Sequence, residues 1–144
     1  MTVKGMSGHL IRRLHQLSTQ VFTQTMQNAG LDLTPVQFAA MDTIAALPGI
    51  DQASVALHIA YDKATIGGVI DRLIQKGYVS RDVSKTDRRA REVRLTDLGS
   101  RVYNRAYPVV TALQDDILAR LDDQERRSFV ALMTKAIGAE DALN

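Results

Sequence analysis

Asp51 to Gly99 reads DQASVALHIAYDKATIGGVIDRLIQKGYVSRDVSKTDRRAREVRLTDLG, and the order of local signals within it decides the fold. Asp51 is suited to cap a short helix, DQASVALHIA, and Tyr61-Asp62 breaks the chain before a second helical run, KATIGGVIDRLIQK, closed by Gly77. Two short helices across a turn of a few residues make a helix-turn-helix. Beyond Gly77 the periodicity changes: Val79, Arg81 and Val83 alternate with polar neighbours, and Val93 and Leu95 do the same after a basic turn. The alternation predicts a β-hairpin with strands near 78–83 and 91–95.

On the N-terminal side, Thr34-Pro35-Val36-Gln37 supplies a capping hydroxyl, proline at the first helical position and glutamine three residues after the cap. A helix is expected from there to about Leu47, before Pro48-Gly49. Earlier still, Leu10, Leu14, Leu17 and Val21 mark one long amphipathic helix over residues 8–29, with Gly30 as its stop. On the C-terminal side, LTDLGSRVYNRAYPVVTALQDDILARL is helical in pattern, and Pro108 should kink it rather than end it. Asp122 and Glu125 form a D-x-x-E cap for a last helix ending near Gly138. The predicted order is α-α-α-α-β-β-α-α, a mainly α chain with a small β-hairpin wing (α+β). Residues 33–96 form a winged helix-turn-helix lobe, and 1–32 with 97–144 supply long terminal helices. Those helices must find burial on each other or on another subunit.

In the helix after Asp62, Ile66, Val69, Ile70 and Leu73 form an apolar stripe, which leaves Thr65, Gly68 and Arg72 on the opposite face. Lys63, Ala64 and Thr65 occupy the first turn, where the helix N-terminus adds positive potential toward a phosphate. Gly67-Gly68 inside a helix costs roughly 1 kcal/mol per glycine, so the pair calls for a reason. Close approach to a duplex is one reason and tight helix packing is the other. From Lys85 to Arg94, across the turn and into the second strand, Lys85, Arg88, Arg89, Arg91 and Arg94 face only Asp87 and Glu92. An arginine at such a hairpin tip fits the minor groove, where negative potential is concentrated, and Asp87 lies close enough to hold Arg89 in one orientation. A solvated charge run is the plainer alternative.

The chain of 144 residues, 45% hydrophobic and 24% charged, is long enough to bury a core. It has no cysteine, which removes disulfides, thiol switches and Cys-containing zinc sites, and its net charge of +2 by itself says little about partners. His9, His15 and His58 have no companions at metal-ligand spacing, no cofactor motif appears, and G-x-S-x-G, G-x-G-x-x-G and Walker A patterns are missing. No apolar run approaches the ~20 residues needed to span a bilayer, which points to a cytoplasmic protein without a membrane partner.

Three stretches together resemble the MarR family of bacterial regulators over nearly the whole chain: LTPVQFAAM (Leu33 to Met41), IAYDKATIGGVIDRLIQKGYVSR (Ile59 to Arg81) and DRRAREVRLTDLG (Asp87 to Gly99). The last matches the family's wing signature, D-x-R, a small residue, then L-T-x-x-G. The resemblance implies a homodimer with interlocking terminal helices, a recognition helix in the major groove and a wing in the minor groove of each half of a pseudo-palindromic operator. Arg89 corresponds to the wing arginine, Asp87 to its orienting carboxylate, and Lys85 and Arg88 flank them; Thr65, Gly68 and Arg72 fall on the recognition face. It also implies a repressor released by a small aromatic effector, a hydroxybenzoate or hydroxynicotinate being preferred, rather than an enzyme. Candidate ligand residues are His9 and Arg13, one helical turn apart, with Phe38 and Met41 as an apolar wall. Arg12 and Arg13 pairing with partner-subunit acids is the alternative for the first pair, and a ligand-insensitive or architectural DNA-binding protein is the alternative for the whole.

Overall fold

A computed structural model of the protein describes residues 2–140. After a short 3-10 turn at Val3–Gly5, the helices are α1 (Ser7–Ala29), α2 (Pro35–Ala46), α3 (Gln52–His58) and α4 (Lys63–Gln75). Strands β1 (Val79–Val83) and β2 (Arg91–Leu95) follow, then α5 (Asp97–Ile117) and α6 (Asp123–Ala136). The predicted order and the helix-turn-helix with its wing are therefore present, and α5 runs unbroken through Pro108. No helix among the described residues is long and apolar enough to cross a membrane.

Contacts divide the chain into two units, Phe22–Val110 and a second made of residues up to Val21 with those from Thr111 onward. The division falls inside α1 and α5 instead of at 32/33 and 96/97. The reason is burial: Phe22 and Met26 of α1 and Val102, Ala106 and Val110 of α5 are enclosed side chains.

In the 22–110 unit, α2 begins with the expected reciprocal cap. Gln37 N–H donates to Thr34 Oγ1 and Thr34 N–H to Gln37 Oε1, both at 3.2 Å. Lys76, at the end of α4, ties onto this cap by donating to Gln37 Oε1 (2.8 Å) and to the Asp32 carbonyl (2.9 Å). The core is built around Met41, Ile44, Val55, Ile66, Ile70, Leu73 and Val93, each fully enclosed. Burying a side chain of this size contributes roughly 1.5–3 kcal/mol, so the stripe on α4 fixes which way that helix faces. α3 ends with Ala60 in the left-handed region (φ 58), where Tyr61 N–H reaches back to the Ala56 carbonyl at 2.9 Å. A non-glycine residue there is strained by about 1 kcal/mol, which the two flanking helices sustain.

β1 and β2 pair antiparallel from Val79↔Leu95 to Val83↔Arg91. On its other edge β2 is met by the residues leading into α3. Gly49 N–H donates to the Val93 carbonyl and Val93 N–H to the Ile50 carbonyl, both at 3.0 Å. The wing is thus anchored by its base to the helix-turn-helix.

In the other unit, α6 carries the D-x-x-E cap as expected, Glu125 N–H to Asp122 Oδ1 at 2.8 Å and Asp122 N–H to Glu125 Oε1 at 3.0 Å. Leu113 is the only buried side chain among this unit's described residues. Val3, Met6, Leu10, Ile11, Leu17, Val130, Leu132, Met133 and Ile137 are exposed.

Candidate nucleic-acid interface

α4 starts at Asp62, whose carboxylate accepts the Thr65 N–H at 2.7 Å through Oδ1 and the Thr65 hydroxyl at 2.8 Å through Oδ2. The Thr65 N–H bond, then its hydroxyl bond, holds the Asp62 carboxyl below its ordinary value of 3.8. The D-x-x-T spacing was a readable cap signal, yet the sequence treated Asp62 only as a break. Lys63, Ala64, Thr65, Gly68 and Arg72 are all exposed on the helix whose other face buries Ile66, Ile70 and Leu73. Val69, expected in the buried stripe, is only half-buried.

The two glycines separate the explanations left open by sequence. A Cβ at Gly67 would meet only the tip of Gln52 at 3.6 Å, an ordinary contact, and a Cβ at Gly68 would meet nothing within 4 Å. Packing within the chain therefore requires neither glycine. What remains at Gly68 is an open, featureless patch of helix backbone.

Arg81 holds this helix in register with its surroundings. From β1 its Nη1 donates to Asp71 of α4 (2.8 Å) and to Gln52 of α3 (3.1 Å), so one guanidinium ties three elements. Nothing in the sequence pattern distinguished it from other strand arginines.

At the wing, Lys85, Asp87, Arg88 and Arg89 are exposed. The turn is organised from below by Ser84, a buried hydroxyl that accepts N–H bonds from Thr86 (3.3 Å) and Asp87 (3.2 Å). Asp87 acts differently from expectation. Its Oδ1 accepts the backbone N–H of Arg89 at 3.0 Å, and no ion pair joins the two side chains among the described residues. A carboxylate two residues back reaches the nearby amide more easily than a long guanidinium, so it sets the turn and leaves the Arg89 side chain free of that carboxylate. Arg91 Nη1 closes the same turn by donating to the Arg88 carbonyl at 3.0 Å.

The L-T-x-x-G stretch has a structural meaning. The Thr96 hydroxyl accepts the Gly99 N–H (3.0 Å) and donates to the Gly77 carbonyl (2.6 Å), while Thr96 N–H donates to the Tyr78 carbonyl (3.0 Å). A Cβ at Gly99 would lie 1.9 Å from that Tyr78 oxygen, so only glycine lets α5 start against the end of α4. The threonine and glycine lock the end of α4, the base of the hairpin and α5 into one joint.

Comparison with known proteins agrees with this geometry. The MarR family model matches residues 33–90. Transcriptional regulator HosA of Escherichia coli O157:H7 is 32% identical over 135 residues, covering 94% of this chain and 97% of HosA. The chain belongs to the MarR family. It is a transcriptional regulator of the MarR type. Among solved structures, BpsR of Bordetella bronchiseptica, described with regulation of its DNA binding by 6-hydroxynicotinic acid, superposes with a TM-score of 0.87 at 27% identity, covering 97% of this chain and 99% of BpsR. The repressor CouR, bound to a 23-mer DNA duplex, superposes with a TM-score of 0.80 at 25% identity, covering 94% of each chain.

In this MarR-type regulator the candidate ligand residues are distributed over both units. His9, half-buried, and Arg13, exposed, lie one turn apart on α1 in the unit that begins the chain. Phe38 and Met41 belong to α2 in the 22–110 unit. Met41 is fully enclosed in the core, and a side chain surrounded on all sides offers no wall to a ligand. Phe38 instead stacks on Tyr103 of α5, ring centroids 5.8 Å apart, and Tyr103 meets Tyr107 at 5.9 Å. Tyr103 donates its hydroxyl to Asp42 Oδ1 at 2.5 Å; burial and then this bond push its pKa up to about 12. This aromatic ladder was missed because its members lie 65 residues apart in sequence, Phe38 to Tyr103. A separate groove of about 830 Å³ is lined by Ile11, Leu14, His15, Val130 and Met133, and by neither His9 nor Arg13. No group of three or more potential metal ligands comes together among the described residues.

Proposed function

We propose that this MarR-type regulator binds a pseudo-palindromic duplex operator as a homodimer, represses from it, and is released by a small aromatic acid of the hydroxybenzoate or hydroxynicotinate class. The observation that carries the reading is the exposed face Thr65, Gly68 and Arg72, backed by an enclosed stripe and followed by an arginine-tipped wing. α4 enters the major groove, with Lys63 on a phosphate and the glycine patch against the groove. Arg88 and Arg89 enter the minor groove, and Lys85 contacts the backbone. CouR on its duplex and BpsR with its regulated DNA binding support this by similarity.

Dimerisation rests on the terminal helices. A unit with one buried side chain and nine exposed large apolar residues among those described has no sufficient core of its own, and a second copy supplies the missing cover. Arg13 is the group for the effector carboxylate and His9, one turn away on the same helix, for a ring hydroxyl or nitrogen. BpsR, whose DNA binding is regulated by 6-hydroxynicotinic acid, supports that ligand class.

Operator binding after Arg89→Ala tests the wing. Affinity is expected to fall by about 1–3 kcal/mol, and wild-type affinity at low and moderate salt would refute the assignment. Titrating aromatic carboxylates into the operator complex separates a sensor from a ligand-insensitive binder: no change across the panel rejects the effector reading.

A further inference from the structure

Thr65 stands in the first turn of α4, at the end of the helix whose N-terminal residues meet base edges in a helix-turn-helix. A threonine hydroxyl ordinarily serves base recognition as donor or acceptor, and so discriminates weakly. Here the choice is removed. The hydroxyl lies 2.8 Å from Asp62 Oδ2, and the other carboxylate oxygen takes the Thr65 N–H at 2.7 Å. An ionised carboxylate has no hydrogen to give, so the hydroxyl hydrogen points at Asp62 and only oxygen lone pairs face outward. Both hydrogen bonds favour the ionised form of Asp62, which keeps this polarity fixed at the pH of DNA binding. Beside Thr65 on the same face, Gly68 has open space around it, so no neighbouring side chain keeps a base edge away.

Resting on the operator-binding role of α4, we infer that Thr65 is an obligate hydrogen-bond acceptor that selects a base bearing an exocyclic amine. At one position of each half-site it favours adenine N6 or cytosine N4 over guanine O6 or thymine O4. The negative charge of Asp62 reinforces the choice, because a carbonyl oxygen there would face two acceptors. Asp62 is the positioning residue; Thr65 touches the base.

The test is selection of binding sites from randomised duplexes, followed by affinity measurements on every single base-pair substitution of the selected operator. With the wild-type protein, one position per half-site should prefer A or C on the facing strand by about tenfold. Thr65→Val should reduce that preference to within about twofold and leave the other positions as they were. Asp62→Asn is the sharper variant. Asparagine caps as well as aspartate, its Oδ1 still accepts the Thr65 N–H, and its Nδ2 donates to the Thr65 hydroxyl oxygen. That turns the hydroxyl hydrogen outward, so the preference should reverse toward G or T at that position alone. An amine preference that survives Asp62→Asn, or a selected operator with no position sensitive to Thr65→Val, overturns the inference. Failure of the wild type to enrich any sequence is a distinct result that overturns the operator-binding reading along with it.

Discussion

Replacing Gly99 by alanine places a Cβ 1.9 Å from the Tyr78 carbonyl oxygen and 2.8 Å from its carbon. Carbon and carbonyl oxygen approach to roughly 3.3 Å at closest, so α5 and the start of β1 must separate by roughly 1.4 Å. Both obstacles are backbone, so no side chain can rotate away. A shift of that size takes the 3.0 Å Thr96 N–H to Tyr78 bond and the 2.6 Å Thr96 hydroxyl to Gly77 bond out of range. Overpacking costs about 1–3 kcal/mol and the two lost bonds about 1 kcal/mol each, giving a destabilisation of about 3–5 kcal/mol. At about 2–4 °C per kcal/mol for a chain of this length, the melting temperature should drop by about 6–20 °C. Thermal melting followed by far-UV circular dichroism measures it. A Gly99→Ala protein that melts within about 2 °C of wild type would show that the L-T-x-x-G joint is not sterically closed.

Gly68→Ala is expected to act in the opposite direction on the free protein, raising stability by about 0.5–1 kcal/mol because the added methyl meets open space in a helix, while weakening operator binding through the lost close approach. Urea unfolding and operator titration of the same sample check both halves. Lys63→Ala should weaken all duplexes alike and flatten the dependence of log affinity on log salt by about one unit. Tyr103 titrates near 12 in the folded chain against 10.0 for a free phenol, so its neutral form stabilises the fold fully below pH 10.0 and that contribution is lost as pH rises through about 12. The stability gap between wild type and Tyr103→Phe should therefore be widest below pH 10.0 and close toward pH 12. A gap that stays constant over that range would contradict the Tyr103–Asp42 hydrogen bond as its source.

The amino-acid sequence by itself determined the elements and their order, because each is specified by groups a few residues apart. The caps at Thr34, Asp51 and Asp122, the 3.6-residue stripe of Ile66, Ile70 and Leu73, and the two-residue alternation around Val79 and Val93 all act locally. Even the Asp62–Thr65 pair, which sets the polarity of the recognition helix, is written in four consecutive residues, though its meaning emerged only with the hydroxyl geometry. Tertiary structure alone decided what depends on distant segments meeting. It showed that Gly99 must be glycine because Tyr78 comes within 1.9 Å of its missing Cβ, while Gly68 need not be for packing. It enclosed Met41, paired Phe38 with Tyr103, tied Arg81 to Asp71 and Gln52, and put Val93 in register with Ile50. A periodic pattern tells which face of a helix turns inward; which neighbour waits there, and how closely, is settled only when the whole chain packs to density.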